Sequence, residues 1–338
     1  MSVSTFDHYT NYETMKAWQV SKTGNFEYFT MAEVSSPPLL ADEVQIRVHT
    51  AGINFADYMQ VMGTHQNPPP LPFSPGFEVA GSVTQTNTSS FAIGDRVMAT
   101  VEYGAYQEYV SVSERLVAKL PDEMSFETGA AIPVANGTAF IALTHRAALQ
   151  TGETLAVFGA SGNVGSRVVA IGAALGARVI VTYGDESEKE HLQALGASAF
   201  IHYKKEAVVD KIREMTHGQG ANVIADIVGG DLFASALQSI AWEGRILPIG
   251  AASGIVPDLS AFEMIRYNAS LVGTDYAAYI NRQLEVIQEA FQQVFKLYQE
   301  EKLTFSEPDH VFSFEETAQV LQQTGEGKLK GKSVIRLI

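Results

Sequence analysis

Cysteine is absent from the 338 residues, which excludes disulfides, thiolate nucleophiles and any metal site built on thiolates. Basic residues are scarce. Twenty-three Lys and Arg stand against 38 Asp and Glu for a net charge of −15, so a phosphate backbone or an anionic membrane surface is repelled on average and nucleic acid is not an expected partner. No apolar run is long enough to cross a bilayer. The opening MSVSTFDHYTNYET has no basic region followed by an apolar core, so no secretory signal is expected and the expected compartment is the cytoplasm. Residues 1–14 read as a loose tail, or as a segment whose aromatics Phe6, Tyr9 and Tyr12 dock on a neighbouring surface.

Hydrophobic residues make up 46% and charged residues 18%, enough apolar material for two buried cores. From Met15 to about Pro121 the texture is short β-rich runs (MKAWQV, EVQIRVHTAGI, VAGSVTQT, GDRVMATV, AYQEYVSV, LVAKL) punctuated by Gly, Pro and Asn. That pattern predicts an irregular β-barrel-like domain. The run NPPPLPFSPG (67–76) has prolines at 68, 69, 70, 72 and 75; lacking backbone donors there, it reads as a stiff surface loop.

From about Asn136 strands and helices alternate, as in a doubly wound parallel sheet. The informative stretch is TLAVFGASGNVG (154–165), an apolar strand entering a glycine turn and then a helix in which Val164, Val168, Ile171 and Leu175 recur at helical intervals. A second β-rich run, RVIVTY (178–183), completes a strand–helix–strand unit. Such a turn binds a dinucleotide: the helix N-terminus offers free N–H groups and positive dipole to a pyrophosphate, Gly162 permits close approach, and Gly165 permits helix–strand packing. Ala160 stands where the first glycine of G-x-G-x-x-G is expected. Further runs at 199–203, 221–230, 244–254 and 269–276 bring the strands to six, a full Rossmann sheet. A helix near 282–300, followed by HVFSF and SVIRLI, suggests that the C-terminus rejoins the first domain.

Several motifs in this order, AGINFADYMQVMG (51–63), PPLPFSPGFEVAGSV (69–83), GDRVMA (94–99), PVANGTAFIAL (133–143), GASGNVGS (159–166), DIVGG (226–230) and GKLKGKSVI (327–335), resemble the zinc-independent medium-chain dehydrogenases/reductases of the quinone oxidoreductase, or zeta-crystallin-like, family. The resemblance implies a GroES-like domain over 15–135 and 277–338, a Rossmann domain over 136–276, a cleft between them and a homodimer formed through the Rossmann sheet edge. It also implies that the positions which hold zinc ligands in zinc-dependent relatives are Asn54, Phe77 and Val134, none of which suits catalytic zinc.

NAD-specific Rossmann folds place an acid at the end of the second strand, whereas a 2'-phosphate needs that acid gone and a cation present. The strand ends Val181-Thr182-Tyr183-Gly184 with no acid in the expected place. Lys189 matches the family's phosphate-facing lysine and Tyr203 its adenine-side tyrosine, so NADPH is the expected cofactor, with Asp185 a complication. The resemblance places Asn54, Thr138, Ala160, Ser161, Gly162, Asn163, Val164, Tyr183, Val228, Gly250 and Lys332 around the same cofactor.

For a zinc-free reductase the natural acceptor is a quinone or another α,β-unsaturated carbonyl, because added hydride gives a delocalised anion that water can protonate. The resemblance implies that Asn54 and Asp57 of NFAD border the nicotinamide as positioning residues, with Thr138 opposite them at the start of a helix, and Tyr58 or His65 could donate to a developing oxyanion. Where the family often carries R-x-G-x-Y, this chain has Val61-Met62-Gly63-Thr64-His65, which suggests a more apolar substrate mouth lined by Met59, Met62, Phe73, Tyr103 and Tyr276. Two alternatives stand beside this reading. One is an enoyl-CoA or enone reductase, although no Lys/Arg cluster for the CoA phosphates appears in 51–80. The other is a noncatalytic NADPH-binding protein of the crystallin or vesicle-associated type.

Overall fold

The computed structural model describes residues 14–338; the tail proposed for 1–14, with Phe6, Tyr9 and Tyr12, lies outside the described residues except for Thr14. The chain divides into two compact units. The first holds residues 14–130, Val311–Lys328 and Val334–Ile338, the second Ala131–His310 and Leu329–Ser333.

In the first unit the eleven-residue strand Glu43–Ile53 is central, because its apolar side chains are buried along most of its length. It pairs antiparallel with Glu78–Thr86 and with Tyr109–Ser113. Register shifts at Gln45/Ile46 and Val48/Thr50 bend it, as bulges do at the corners of barrels. The sheet runs in the order His310–Ser313, Ser333–Arg336, Glu43–Ile53, Glu78–Thr86, Arg96–Thr100, Val117–Lys119. The C-terminal β runs thus do return to the first unit's sheet. The proline-rich segment is a surface loop only in its first half. Phe73 to Gly76 are buried; Phe73 exchanges backbone hydrogen bonds with Val20 at 2.8 and 3.2 Å, and the Gly76 N–H donates to Gln60 Oε1 at 3.1 Å.

The second unit carries a parallel six-stranded sheet in the order Ala199–His202, Arg178–Tyr183, Thr154–Phe158, Ala221–Asp226, Ile240–Pro248, Ser270–Leu271. The strand order turns back between Thr154–Phe158 and Ala221–Asp226, the switch point at which doubly wound sheets bind ligands. Leu155, Ala156, Val157 and Phe158 are all fully buried, as a central parallel strand covered on both faces requires. Helix Leu284–Gln299 buries Ile287, Ala290, Phe291 and Val294, spaced i, i+3, i+4, i+7, against helix Pro133–Phe140. That packing places residues 277–310 in the second unit, in contrast to the 277–338 assignment made from sequence.

Candidate functional site

The strand Thr154–Phe158 leaves the sheet at Gly159, whose φ of +82° is left-handed; a side chain there would stand 2.8 Å from Val228 Cγ2. The residue that must be glycine at the strand exit is therefore Gly159, and Ala160, fully buried, fills the next place without strain. Gly162 caps helix Asn163–Ala174. A Cβ on Gly162 would meet only the Gly159 carbonyl oxygen, at 3.6 Å, whereas a Cβ on Gly165 would overlap that same oxygen. The two glycines thus have separate duties: Gly165 lets the helix lie against the turn, and Gly162 keeps the space in front of the helix open. Asn163 Oδ1 is buried there and accepts no hydrogen bond.

Across the switch point the DIVGG segment forms a second turn. Asp226, fully buried at the end of its strand, accepts from the N–H groups of Val228 at 2.9 Å and Gly229 at 3.1 Å. Burial pushes its carboxyl above the usual range, and the two N–H donors oppose that rise. Val228 packs toward Gly159, and Gly250 lies close enough to Ile227 O that a Cβ would stand 3.0 Å away. The site therefore combines an open glycine before the free N–H groups of a helix N-terminus with a second glycine-rich turn facing it, an arrangement that fits a dinucleotide pyrophosphate.

At the end of the second strand Tyr183 is nearly buried; its hydroxyl donates to Glu186 at 3.2 Å and its ring meets His202 edge-on at 5.0 Å. Burial, then the Glu186 hydrogen bond, raises the Tyr183 phenol. Tyr203, 40% exposed, lies over Gly184, where a Cβ would come within 2.8 Å of its ring. Lys189 Nζ sits 5.5 Å from the Phe200 ring centroid. Asp185 caps the short turn Glu186–Glu188 by accepting from Ser187 N and Oγ at 3.0 and 2.8 Å, and the Ser187 N–H holds its carboxyl below the usual range. Glu188 turns inward: its Oε2 accepts from Ser161 Oγ at 2.7 Å and from the Gly184 N–H at 3.4 Å, and its Oε1 is 3.7 Å from Lys330 Nζ. Lys332 is buried, with its N–H donating to Asp309 Oδ2 at 2.6 Å. Thr138 is nearly buried within helix Pro133–Phe140, five residues past its first residue rather than at its start. Tyr276, one of the suggested lining residues, is buried against Gly137.

In the first unit, Asn54 caps helix Phe55–Met62 in a capping box completed by Asp57. Asp57 is fully buried, and its Oδ2 accepts from the Asn54 N–H and from the Tyr106 hydroxyl, both at 2.6 Å. Burial and the neighbouring Asp57 and Glu78 push the Tyr106 phenol far up, so it stays protonated and donates. Asn54 Nδ2 donates to Glu78 Oε1 at 2.8 Å, and Glu78 is fully buried. Asp57 accordingly shapes the loop from within. Tyr58 lies between Phe26 and Phe55, at 5.9 and 5.7 Å between ring centroids, and covers Gly325 of helix Thr317–Gly325. His65 is buried against Phe77 at 5.4 Å, and its Nδ1 is 3.2 Å from the Asn67 N–H. Of the suggested lining residues here, Phe73 is buried and Tyr103 is 40% exposed with its ring edge-on to Phe73. Among the described residues no group of three or more His, Asp or Glu could hold a metal ion. No helix there is long and apolar enough to cross a membrane.

Glu188, Glu78 and Tyr106 were not singled out from sequence. Glu78 opens strand Glu78–Thr86 and Tyr106 lies just before strand Tyr109–Ser113, so only three-dimensional pairing reveals their partners, and Glu188 sits in a charged run, ESEKE, that reads as a solvated helix start.

Residues 40–122 match the alcohol dehydrogenase GroES-like domain, and residues 163–300 match the zinc-binding dehydrogenase domain. A quinone oxidoreductase-like protein 2 homolog from Nematostella vectensis is 36% identical over 308 residues, covering 89% of this chain and 83% of that protein. A quinone oxidoreductase from Pseudomonas syringae superposes with a TM-score of 0.84 at 27% identity, over 96% of this chain and 100% of the other. A mycobacterial protein complexed with NADPH gives 0.86 at 27% identity, again over 96% and 100%. Likeness of this extent, joined to a GroES-like unit and a Rossmann sheet whose strand order reverses at a glycine turn, makes the chain a member of the quinone oxidoreductase family of medium-chain dehydrogenases/reductases.

Proposed function

We propose that the protein is an NADPH-dependent oxidoreductase that reduces a quinone or another α,β-unsaturated carbonyl without zinc. The observation that carries this reading is the turn Gly159–Gly165, where Gly162 leaves open space before a helix N-terminus. The mycobacterial relative's NADPH supports the choice of nicotinamide. Ala160, Ser161, Gly162, Asn163 and Val164 would hold the pyrophosphate, with Val228 and Gly250 on the facing turn. Tyr183, Tyr203, Lys189 and Lys332 would serve the adenosine half, and Thr138 and Asn54 the nicotinamide half. When bound, the nicotinamide supplies hydride. The chain's part is positioning: Glu78 fixes the Asn54 amide and Asp57 fixes its backbone, so that the Asn54 loop meets its ligand preorganised.

Proton delivery need not come from a strong acid, since a hydroquinone anion or enolate is protonated by water; Tyr58 and His65 remain donor candidates. The residues at the zinc-ligand positions of zinc-dependent relatives, Asn54, Phe77 and Val134, offer no imidazole, thiolate or carboxylate, which supports zinc independence. Trp242, Phe262 and Ile265 are more than 70% exposed, and the outermost strand Ser270–Leu271 is exposed too. Exposed apolar side chains on strand Ile240–Pro248, helix Ala261–Tyr267 and the edge strand support a homodimer, and the expected compartment is the cytoplasm.

The test is NADPH oxidation with a simple quinone, an enone aldehyde, an enoyl-CoA and an aliphatic ketone, before and after exhaustive chelation. Turnover of the quinone or enone that survives chelation is expected. Activity lost on chelation and restored by zinc overturns the metal-free reading, preference for the enoyl-CoA favours the acyl-CoA alternative, and tight NADPH binding with no turnover favours the noncatalytic one.

A further inference from the structure

No acid occupies the end of the second strand at Tyr183-Gly184, yet the folded chain brings a carboxylate back to it. The turn capped by Asp185 reverses the backbone after Gly184. The reversal carries Glu188 back to the strand end, where its Oε2 accepts from Ser161 Oγ at 2.7 Å and from the Gly184 N–H at 3.4 Å. Its side chain is 21% exposed, and Lys330, 82% exposed, faces its other oxygen at 3.7 Å. Ser161 belongs to the glycine turn itself, so this carboxylate spans the first and second strand ends, the corner where a Rossmann fold meets the ribose of its nucleotide. Lys189, the next residue, rests over the Phe200 ring instead.

We infer that Glu188 is the residue that sets the balance between NADPH and NADH, by holding a fixed negative charge at the ribose corner. The inference rests on the nucleotide reading of the turn. A 2'-hydroxyl can donate a hydrogen bond to this carboxylate, whereas a 2'-phosphate meets a like charge and must displace it from Ser161 and Gly184. Lys330 partly neutralises that charge, but it is a long, exposed side chain whose ion pair is weak. The protein therefore discriminates less in favour of NADPH than its lysines alone would dictate.

The experiment compares Glu188→Gln with the wild-type protein. Glutamine keeps an oxygen to accept from Ser161 and removes only the charge. Dissociation constants for NADPH and NADH are measured by titration of nucleotide fluorescence, and those for 2',5'-ADP and 5'-AMP by calorimetry, with thermal melting as the check on folding. Expected is a gain of about tenfold in affinity for the two 2'-phosphorylated ligands, equivalent to about 1.4 kcal/mol, with NADH and 5'-AMP unchanged or weakened. If the ratio of NADPH to NADH affinity stays within twofold of the wild type, Glu188 is a structural strut and the inference fails alone. A selective loss of NADPH overturns it as well, because the carboxylate would then be holding Lys330 for the phosphate. Binding of neither nucleotide to either protein removes the nucleotide reading together with the inference. Glu188→Ala, melted and titrated in parallel, separates loss of the charge from loss of the Ser161 hydrogen bond.

Discussion

Asn54 Nδ2 donates to Glu78 Oε1 at 2.8 Å with both side chains shut away from solvent. A buried carboxylate thus fixes the amide of the one loop residue proposed to face the nicotinamide. Glu78→Leu should leave that amide misdirected, destabilise the fold by about 1–3 kcal/mol, and lower kcat for quinone reduction more than it weakens NADPH binding. Glu78→Gln, which retains an acceptor, should restore most of the lost kcat. Equal kcat in the leucine and glutamine variants would show that Glu78 supports only the fold.

The two glycines of the turn should respond differently to a side chain. Gly162→Val should fold normally and bind no nucleotide, because its side chain enters open space meant for a ligand. Gly165→Ala should be destabilised by about 3 kcal/mol or more, because even one methyl overlaps the Gly159 carbonyl. Circular dichroism and melting read the fold, and fluorescence titration reads the site. A well-folded Gly162→Val that binds NADPH normally would reduce GASGNVG to a packing corner.

Lys189→Ala should weaken NADPH by roughly 10- to 100-fold and leave NADH little changed, the cost of losing a charge-assisted contact to a phosphate. Lys189 must leave the Phe200 ring to make that contact. Equal losses for both nucleotides would assign the phosphate to another cation.

Glu153 and Arg245 form a two-pronged ion pair, with oxygen–nitrogen distances of 2.8 and 2.6 Å and both side chains 19% exposed. The Arg245 hydrogen bond holds the Glu153 carboxyl below its usual range. Wild type should therefore exceed Glu153→Gln in stability by about 2 kcal/mol at neutral pH, and the gap should close in acid. Urea unfolding across the acid range measures it, and a gap independent of pH would mean that charge is not what the pair contributes.

The strands of the second unit were legible because a parallel sheet buried on both faces writes itself as unbroken apolar runs: RVIVTY begins and ends where strand Arg178–Tyr183 does. The glycine pattern was legible only in part. The pattern G-x-G-x-x-G looks for its first glycine at 160, whereas the physical demand, a left-handed exit from the strand, falls on Gly159. Helix Leu284–Gln299 displays its amphipathic face in sequence but not the element that receives it, so its unit could not be read. The same holds for Tyr58, whose ring is absorbed by Phe26, Phe55 and Gly325, and for Glu188. A charged side chain in a polar run carries no mark of the direction it will point, and Glu188 points back to Ser161 and Gly184.

The last stretch of chain is shared property. Leu329–Ser333, with Lys330 and Lys332, counts with the second unit, and Val334–Ile338 counts with the first, where Ser333–Arg336 is an interior strand of the sheet. A stop codon or a protease cut just after Lys328 would therefore do double damage. It would strip two cations from the second unit and pull a strand from between its neighbours in the first. Neither unit is a continuous piece of sequence, so neither can be expressed by simple truncation, and an affinity tag belongs at the other end of the protein.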